Sequence, residues 1–267
     1  MSIKIRPARN LFLVSFTLLL TLSSACSVRR YAVNMVGDAL ASGNSVYETD
    51  EDIELVGEAF PFALKLTETL LAESPNHPGL LITACKGFVG YSYAYVDFRA
   101  EMAEETDLDR ARVLRTRARK LYLRAHNYCT RGLERWYPGL TAALTTDPQA
   151  AVRLTKEKKL DRDLPFLYWT ASALGSAISA SRDDTAMLAR LPEVEALLDR
   201  ALMLDEDWNK GSLYEVKVQL AGAKVWGGDE QEISRNYERA LMLSSGQHAG
   251  LFVTYAEAVA IPNQDRE

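Results

Sequence analysis

The residues best suited to chemistry are few and scattered. The chain holds three histidines, His77, His126 and His248, far apart in sequence. None has the i, i+4 partner of a His-Glu-x-x-His metal helix, and two sit in turns near proline or glycine. No Gly-x-Ser-x-Gly elbow, phosphate loop or dinucleotide-binding glycine pattern is present. Gly227 and Gly228 follow a helical pattern rather than a strand, so they read as a helix end. The acidic runs Asp50-Glu51-Asp52 and Asp183-Asp184 precede helical patterns. There they complement the helix dipole, which explains them without general acid–base work. The residue pattern is that of a non-enzyme with no metal and no cofactor.

Two stretches offer binding surfaces instead. In GFVGYSYAYVDF, Phe88, Tyr91 and Tyr95 recur at i, i+3 and i+7 and share a face, while Tyr93 points elsewhere. Gly87 and Gly90 thin the opposite side, where another backbone could approach. An aromatic core stripe is the plainer account of that spacing. In YWTASALGSAISAS, Ser172, Gly175, Ser176 and Ser179 make a small-residue face beside Trp169. Small faces admit a close helix neighbour or line a pocket. Aromatics opposite small residues would enclose an apolar cavity with a few hydroxyls. The candidate ligand- or pore-lining residues are therefore Phe88, Tyr91, Tyr95, Trp169, Ser172, Gly175 and Ser176.

The elements that must position these residues are helical nearly throughout, with no period-2 run and no Asn-Gly or Asp-Gly hairpin turn. Asp50 or Asp52 caps a long helix interrupted by Pro61, which predicts a kink or a split. SPNHPG is a turn, and Thr106 or Asp107 caps a long basic helix. Asp147 and Pro148 open a short helix; KEKKLDRD reads as a solvated loop, and Pro165 opens an apolar helix. Cys85 and Cys129 fall among apolar neighbours, and two thiols are not a disulfide framework. Buried free cysteines are the expectation.

With 267 residues, 48% of them apolar, the chain can build a large core. A net charge of −5 with no basic patch argues against nucleic acid as a partner. Lys4, Arg6 and Arg9 precede the 12-residue apolar run Leu11 to Leu22, which is too short to span a membrane. The run is followed by SSAC, so residues 1–25 read as a lipoprotein-type signal peptide and Cys26 as the lipid attachment site. The lipobox is imperfect, since Leu22 stands four residues before Cys26, and ordinary small-residue cleavage also fits. Residues 26–50 read as an anchor segment with a short amphipathic helix carrying Tyr31, Val33, Val36 and Leu40, and 51–267 as the main helical domain.

One repeat supports that domain reading. RALML occurs at Arg200–Leu204 and again at Arg239–Leu243, with a polar turn and a glycine after each copy, Gly211 and Gly250. Helix–turn–helix units at this spacing predict antiparallel hairpins of degenerate tetratricopeptide-like (TPR-like) type, forming a compact all-α solenoid. Arg200 and Arg239 are expected on solvated faces, with the Leu and Met residues packed between hairpins.

The stretches SGNSVYETDEDIELVGEAFPFALKLTETLLAESPNHPGLL, YSYAYV, PFLYWTASALGSAIS and the run from GGDEQ to the end, in that order, resemble the T component associated with TRAP transporters, the TatT family. The resemblance implies a lipid-anchored periplasmic protein, outer-membrane attached, with an all-helical fold and a pore through each protomer. It also implies trimeric homo-oligomers, association with the periplasmic solute-binding P component, and a small, hydrophobic organic ligand. The family continues where this sequence stops and Pro262 reads as the start of another helix, so the expectation is either a truncated chain or a neighbouring subunit that covers the apolar face of Leu251 to Val259. An envelope-assembly lipoprotein binding outer-membrane protein segments is the alternative from the same fold class.

Overall fold

The computed structural model describes residues 28–42, 46–156, 159–222, 229–261 and 263–264. Cys26 and the leader, the Gly227–Gly228 helix end and the helix start at Pro262 fall outside the described residues. Among those described, the secondary structure is helical with no strand: the fold is all-α.

The caps explain the boundaries. Helix α1 covers 28–42 and α2 Val46–Thr49. Helix α3 (Ile53–Glu73) opens where the Asp52 carboxylate accepts from the Leu55 N–H at 3.0 Å. It runs through Pro61 unsplit, because burial of Val56, Leu64 and Leu71 holds both halves to the core. His77 Nδ1 caps α4 (Pro78–Ser92) by accepting from the Leu80 N–H. A π-helical turn (Tyr93–Asp97) then leads into α5 (Phe98–Glu104). Asp107 caps the 29-residue α6 (Leu108–Trp136). Helices α7 (Leu140–Thr146) and α8 (Pro148–Val152) follow, the latter capped by Asp147.

The apolar helix α9 (Leu160–Ser179) starts inside KEKKLDRD, earlier than Pro165. That segment is not simply a solvated loop. Asp163 is fully buried, accepting from the Tyr137 hydroxyl and, at 2.7 Å, from Arg162 Nε. A buried carboxylate needs such partners, and they anchor the first turn of the helix. Helices α10 (Thr185–Leu188), α11 (Leu191–Leu204), α12 (Ser212–Gly222), α13 (Glu230–Ser244) and α14 (Ala249–Tyr255) complete the order, with a second π-helical turn at Ala256–Ala260.

Neighbouring helices pair as α3–α4, α4–α6, α6–α9, α9–α11 and α12–α13. One core runs through α4, α6, α9 and α11, with Leu81, Tyr122, Leu133, Leu167, Leu174 and Leu197 inaccessible to solvent. A smaller one joins Val218 and Ala221 to Ile233 and Val259.

The two RALML copies end α11 and α13, but their roles differ from the expectation. Arg200 donates to the hydroxyl and carbonyl of Thr155, tying α11 to the segment after α8. Arg239 pairs with Glu206 in the turn after the first copy. Met203 and Met242 are exposed rather than packed between hairpins. Gly211, at φ +85°, lets that turn approach the second copy so closely that a Cβ would lie 3.0 Å from Leu243.

Cys85 and Cys129 are joined by a disulfide, correcting the free-thiol expectation. Their 44-residue separation hid the fact that α4 and α6 pack side by side, with the Cα atoms 5.5 Å apart. Closing a loop of that length stabilises a fold by about 4 kcal/mol in the chain-entropy picture. Reduction, or the Cys85→Ala/Cys129→Ala double substitution, is expected to lower the melting temperature by about 10 °C in scanning calorimetry.

Candidate functional site

The small-residue face of α9 lines a cavity. Ser172, Gly175, Ser176 and Ser179 form one wall of a partly enclosed space of about 70 Å³. Leu188, Leu191 and Val194 of the α10–α11 segment form the second wall, and Val216 and Leu220 of α12 the third. Arg182 and Gln219 add polar groups to the lining. The space exists because α9 presents hydroxymethyls and a hydrogen where larger side chains would fill it. At Gly175 a Cβ would lie 3.7 Å from Val194, in ordinary contact, so the glycine widens the cavity without being forced by packing. A water needs roughly 10–15 Å³ of such space, so the cavity holds several waters or part of a small organic molecule.

The aromatic candidates lie elsewhere. Phe88 is buried, stacked on Tyr128 of α6 with ring centroids 5.8 Å apart, and the Arg124 guanidinium lies 4.9 Å from its centroid. Tyr91 and Tyr95 stack at 5.7 Å, and both meet Phe60 of α3. The Tyr95 hydroxyl donates to the Ile53 carbonyl at 2.8 Å, and its ring lies over Gly57. These three rings hold α3 and α6 to α4 and do not line the cavity. Trp169 lies toward α4, with the Lys86 ammonium 5.8 Å from its ring centroid. Thus Ser172, Gly175 and Ser176 come together, while Phe88, Tyr91, Tyr95 and Trp169 belong to helix contacts. Sequence spacing showed which residues share a face of one helix, but not which helix each face meets.

Several titratable groups outside the cavity lining were not apparent from spacing. Tyr168 stands one turn before Ser172, and its phenol is pushed up to about 12 by burial, then by the Glu215 charge, with the Ser172 hydroxyl opposing. Glu215 stands one turn before Gln219 on α12. Burial raises its carboxyl above the usual range, and His248, with Nδ1 3.6 Å away, works in the opposite direction. Burial likewise raises Asp97 and Glu101, and it raises the Tyr93 phenol, which also feels Glu257, Glu101, Glu215 and Asp97.

Among the described residues, the polar groups that line the cavity are hydroxyls, an amide and a guanidinium. His126 of α6, whose buried Nε2 has no partner among the described residues, has its pKa lowered to about 3 by burial and then by Arg190. The folded state thus favours neutral imidazole. The stabilisation is complete above the ordinary pKa of about 6.5 and is lost as pH falls from there toward 3. Urea unfolding at pH 7 and pH 4.5 should show a loss on the order of 2–3 kcal/mol that the His126→Leu variant lacks.

A family model described as TRAP transporter T-component matches residues 49–267. A protein of Treponema pallidum (strain Nichols), described as an uncharacterized protein, is 25% identical over 261 residues, covering 92% of this chain and 81% of that protein.

Proposed function

The chain belongs to the TRAP transporter T-component family, and we propose that it is a non-catalytic periplasmic scaffold that docks the solute-binding P component and holds a small organic ligand between α9 and α12. Association with a TRAP transporter places its work at the cell envelope. Among the described residues no helix is long and apolar enough to cross a membrane. Attachment through a lipid on Cys26, with the outer membrane as its site, accounts for the leader that precedes it.

The observation that carries the ligand role is the α9 cavity, whose walls are mostly aliphatic and whose polar groups are few. Its ligand is small and largely apolar, with hydrogen-bonding groups for Ser172, Ser176 and Gln219. The scaffold role is supported by the use to which the polar side chains are put. Glu68 binds Arg124 and Tyr128, Asp163 binds Tyr137 and Arg162, and His77 caps a helix, so each serves the fold.

A docking surface is supported by α3. Leu55, Phe62 and Leu66 recur at i, i+7 and i+11 and are all exposed, Phe62 by 73%. A helix of a P component or of a second or third copy fits against such a stripe. In pull-downs with a TRAP P component, the native chain should retain it, and Phe62→Asp should weaken retention about tenfold or more with the fold intact by circular dichroism. Retention of extended outer-membrane protein segments instead of the P component would favour an envelope-assembly role and contradict this function.

A further inference from the structure

Helix α1 turns its polar side inward and its apolar side outward. Toward the body, Asn34 Oδ1 accepts from the Ser74 hydroxyl at 2.7 Å, and Asp38 lies 3.3 Å from His77 Nε2. Gly37 is buried against Leu80, and Ala41 sits on Gly79, where a Cβ would lie 2.7 Å from the alanine methyl. These positions, 34, 37, 38 and 41, define the seated face. The face directed away from them carries Val28, Ala32, Met35, Val36 and Ala39, all exposed, with Tyr31 exposed at its flank on the side of Asp38; Val28 and Tyr31 are each 66% accessible and Met35 57%. A helix free in water is arranged the opposite way.

Chain continuity identifies what covers this face. The apolar run of the leader ends at Leu22, six residues before Val28, and Cys26 stands two residues before it. At about 3.5 Å per residue, the start of α1 lies within about 20 Å of a membrane-inserted leader and within about 7 Å of an acylated Cys26. At that same end Arg29 is ion-paired with Glu73 at the close of α3, and the exposed Arg30 has a stem long enough for its guanidinium to reach lipid phosphates. Tyrosine with small aliphatic residues is the composition of a shallow interfacial contact.

We propose that the outer face of α1 lies in the headgroup layer of a phospholipid bilayer, so that a helix, and not a flexible lipid tether alone, sets the tilt and height of the body above the membrane. This rests on the export and anchoring of the chain proposed above.

The test uses spin labels on the full chain in its membranes. With Cys85 and Cys129 bridged and Cys26 acylated, an introduced cysteine is the reactive thiol. Met35→Cys reports the α1 face, and Asp109→Cys, at a carboxylate 93% exposed on α6, reports water. Oxygen should relax the label at 35 more than a water-soluble nickel chelate does, with the reverse at 109. Equal nickel access at the two sites overturns the proposal, as does exclusion of both reagents at 35 with spin–spin broadening, which would mean a second copy. If the chain is found unanchored, the anchoring reading fails separately. In that case sedimentation with phosphatidylethanolamine/phosphatidylglycerol vesicles decides: binding that Tyr31→Asp/Met35→Asp weakens about tenfold or more supports the membrane face, and no binding by the native chain overturns it.

Discussion

The main core of this protein is organised around the packing of α9. That helix is buried against α6, α11 and α4, and its Ala171, Ala173, Leu174 and Ala177 are inaccessible to solvent. Alanine on the packed sides lets the neighbouring backbones come close, and the helix is held rigid by them. Its first turn is fixed by the buried Asp163 and the Tyr137 hydroxyl. With three sides committed, the fourth is free to carry hydroxymethyls and a glycine. The cavity is therefore a consequence of how tightly the rest of α9 is held. Were the helix loosely packed, the aliphatic residues of α10 to α12 would collapse onto the gap and close it.

Rigidity reaches α9 from the N-terminal half through α4 and α6. The Cys85–Cys129 bridge and the Phe88–Tyr128 stack lie on the interface between those two helices. On the other side of α4, Tyr95 rests in the space left by Gly57 and holds α3 in place. The aromatic cluster thus supports the site from behind. In the C-terminal half, Arg239 and Gly211 join α13 to the turn before α12, so the third wall of the cavity is set by contacts between the two RALML units. The electrostatics follow from the same packing: burial partly desolvates Asp97, Glu101 and Glu215 and raises each carboxyl.

Much of the scaffold was legible in the sequence because its signals are local. Asp52, Asp107 and Asp147 cap helices by accepting from the N–H three residues on, a contact encoded within one turn. The shared face of Ser172, Gly175 and Ser176 is likewise a property of one helix. What depended on tertiary partners was not legible. The disulfide needed knowledge that α4 and α6 are neighbours. The destination of Phe88, Tyr91 and Tyr95 needed the order in which helices pack, and the π-helical turn after Ser92 shifts the phase of the helical period in that very stretch. Asp163 was hidden in a charged run whose composition is that of a loop. In α1 the periodicity showed an amphipathic helix, yet the helix seats itself by Asn34, Gly37 and Asp38.

The claim on which this account turns is that the α9 cavity holds a ligand, and native mass spectrometry of the purified protein tests it most directly. The native chain should carry a non-covalent small molecule that gentle activation releases. Ser176→Phe, which places a ring in the cavity, should give the bare protein mass with an unchanged melting temperature to within about 3 °C. A native chain of bare mass, or a Ser176→Phe variant that keeps the same molecule, would contradict the account.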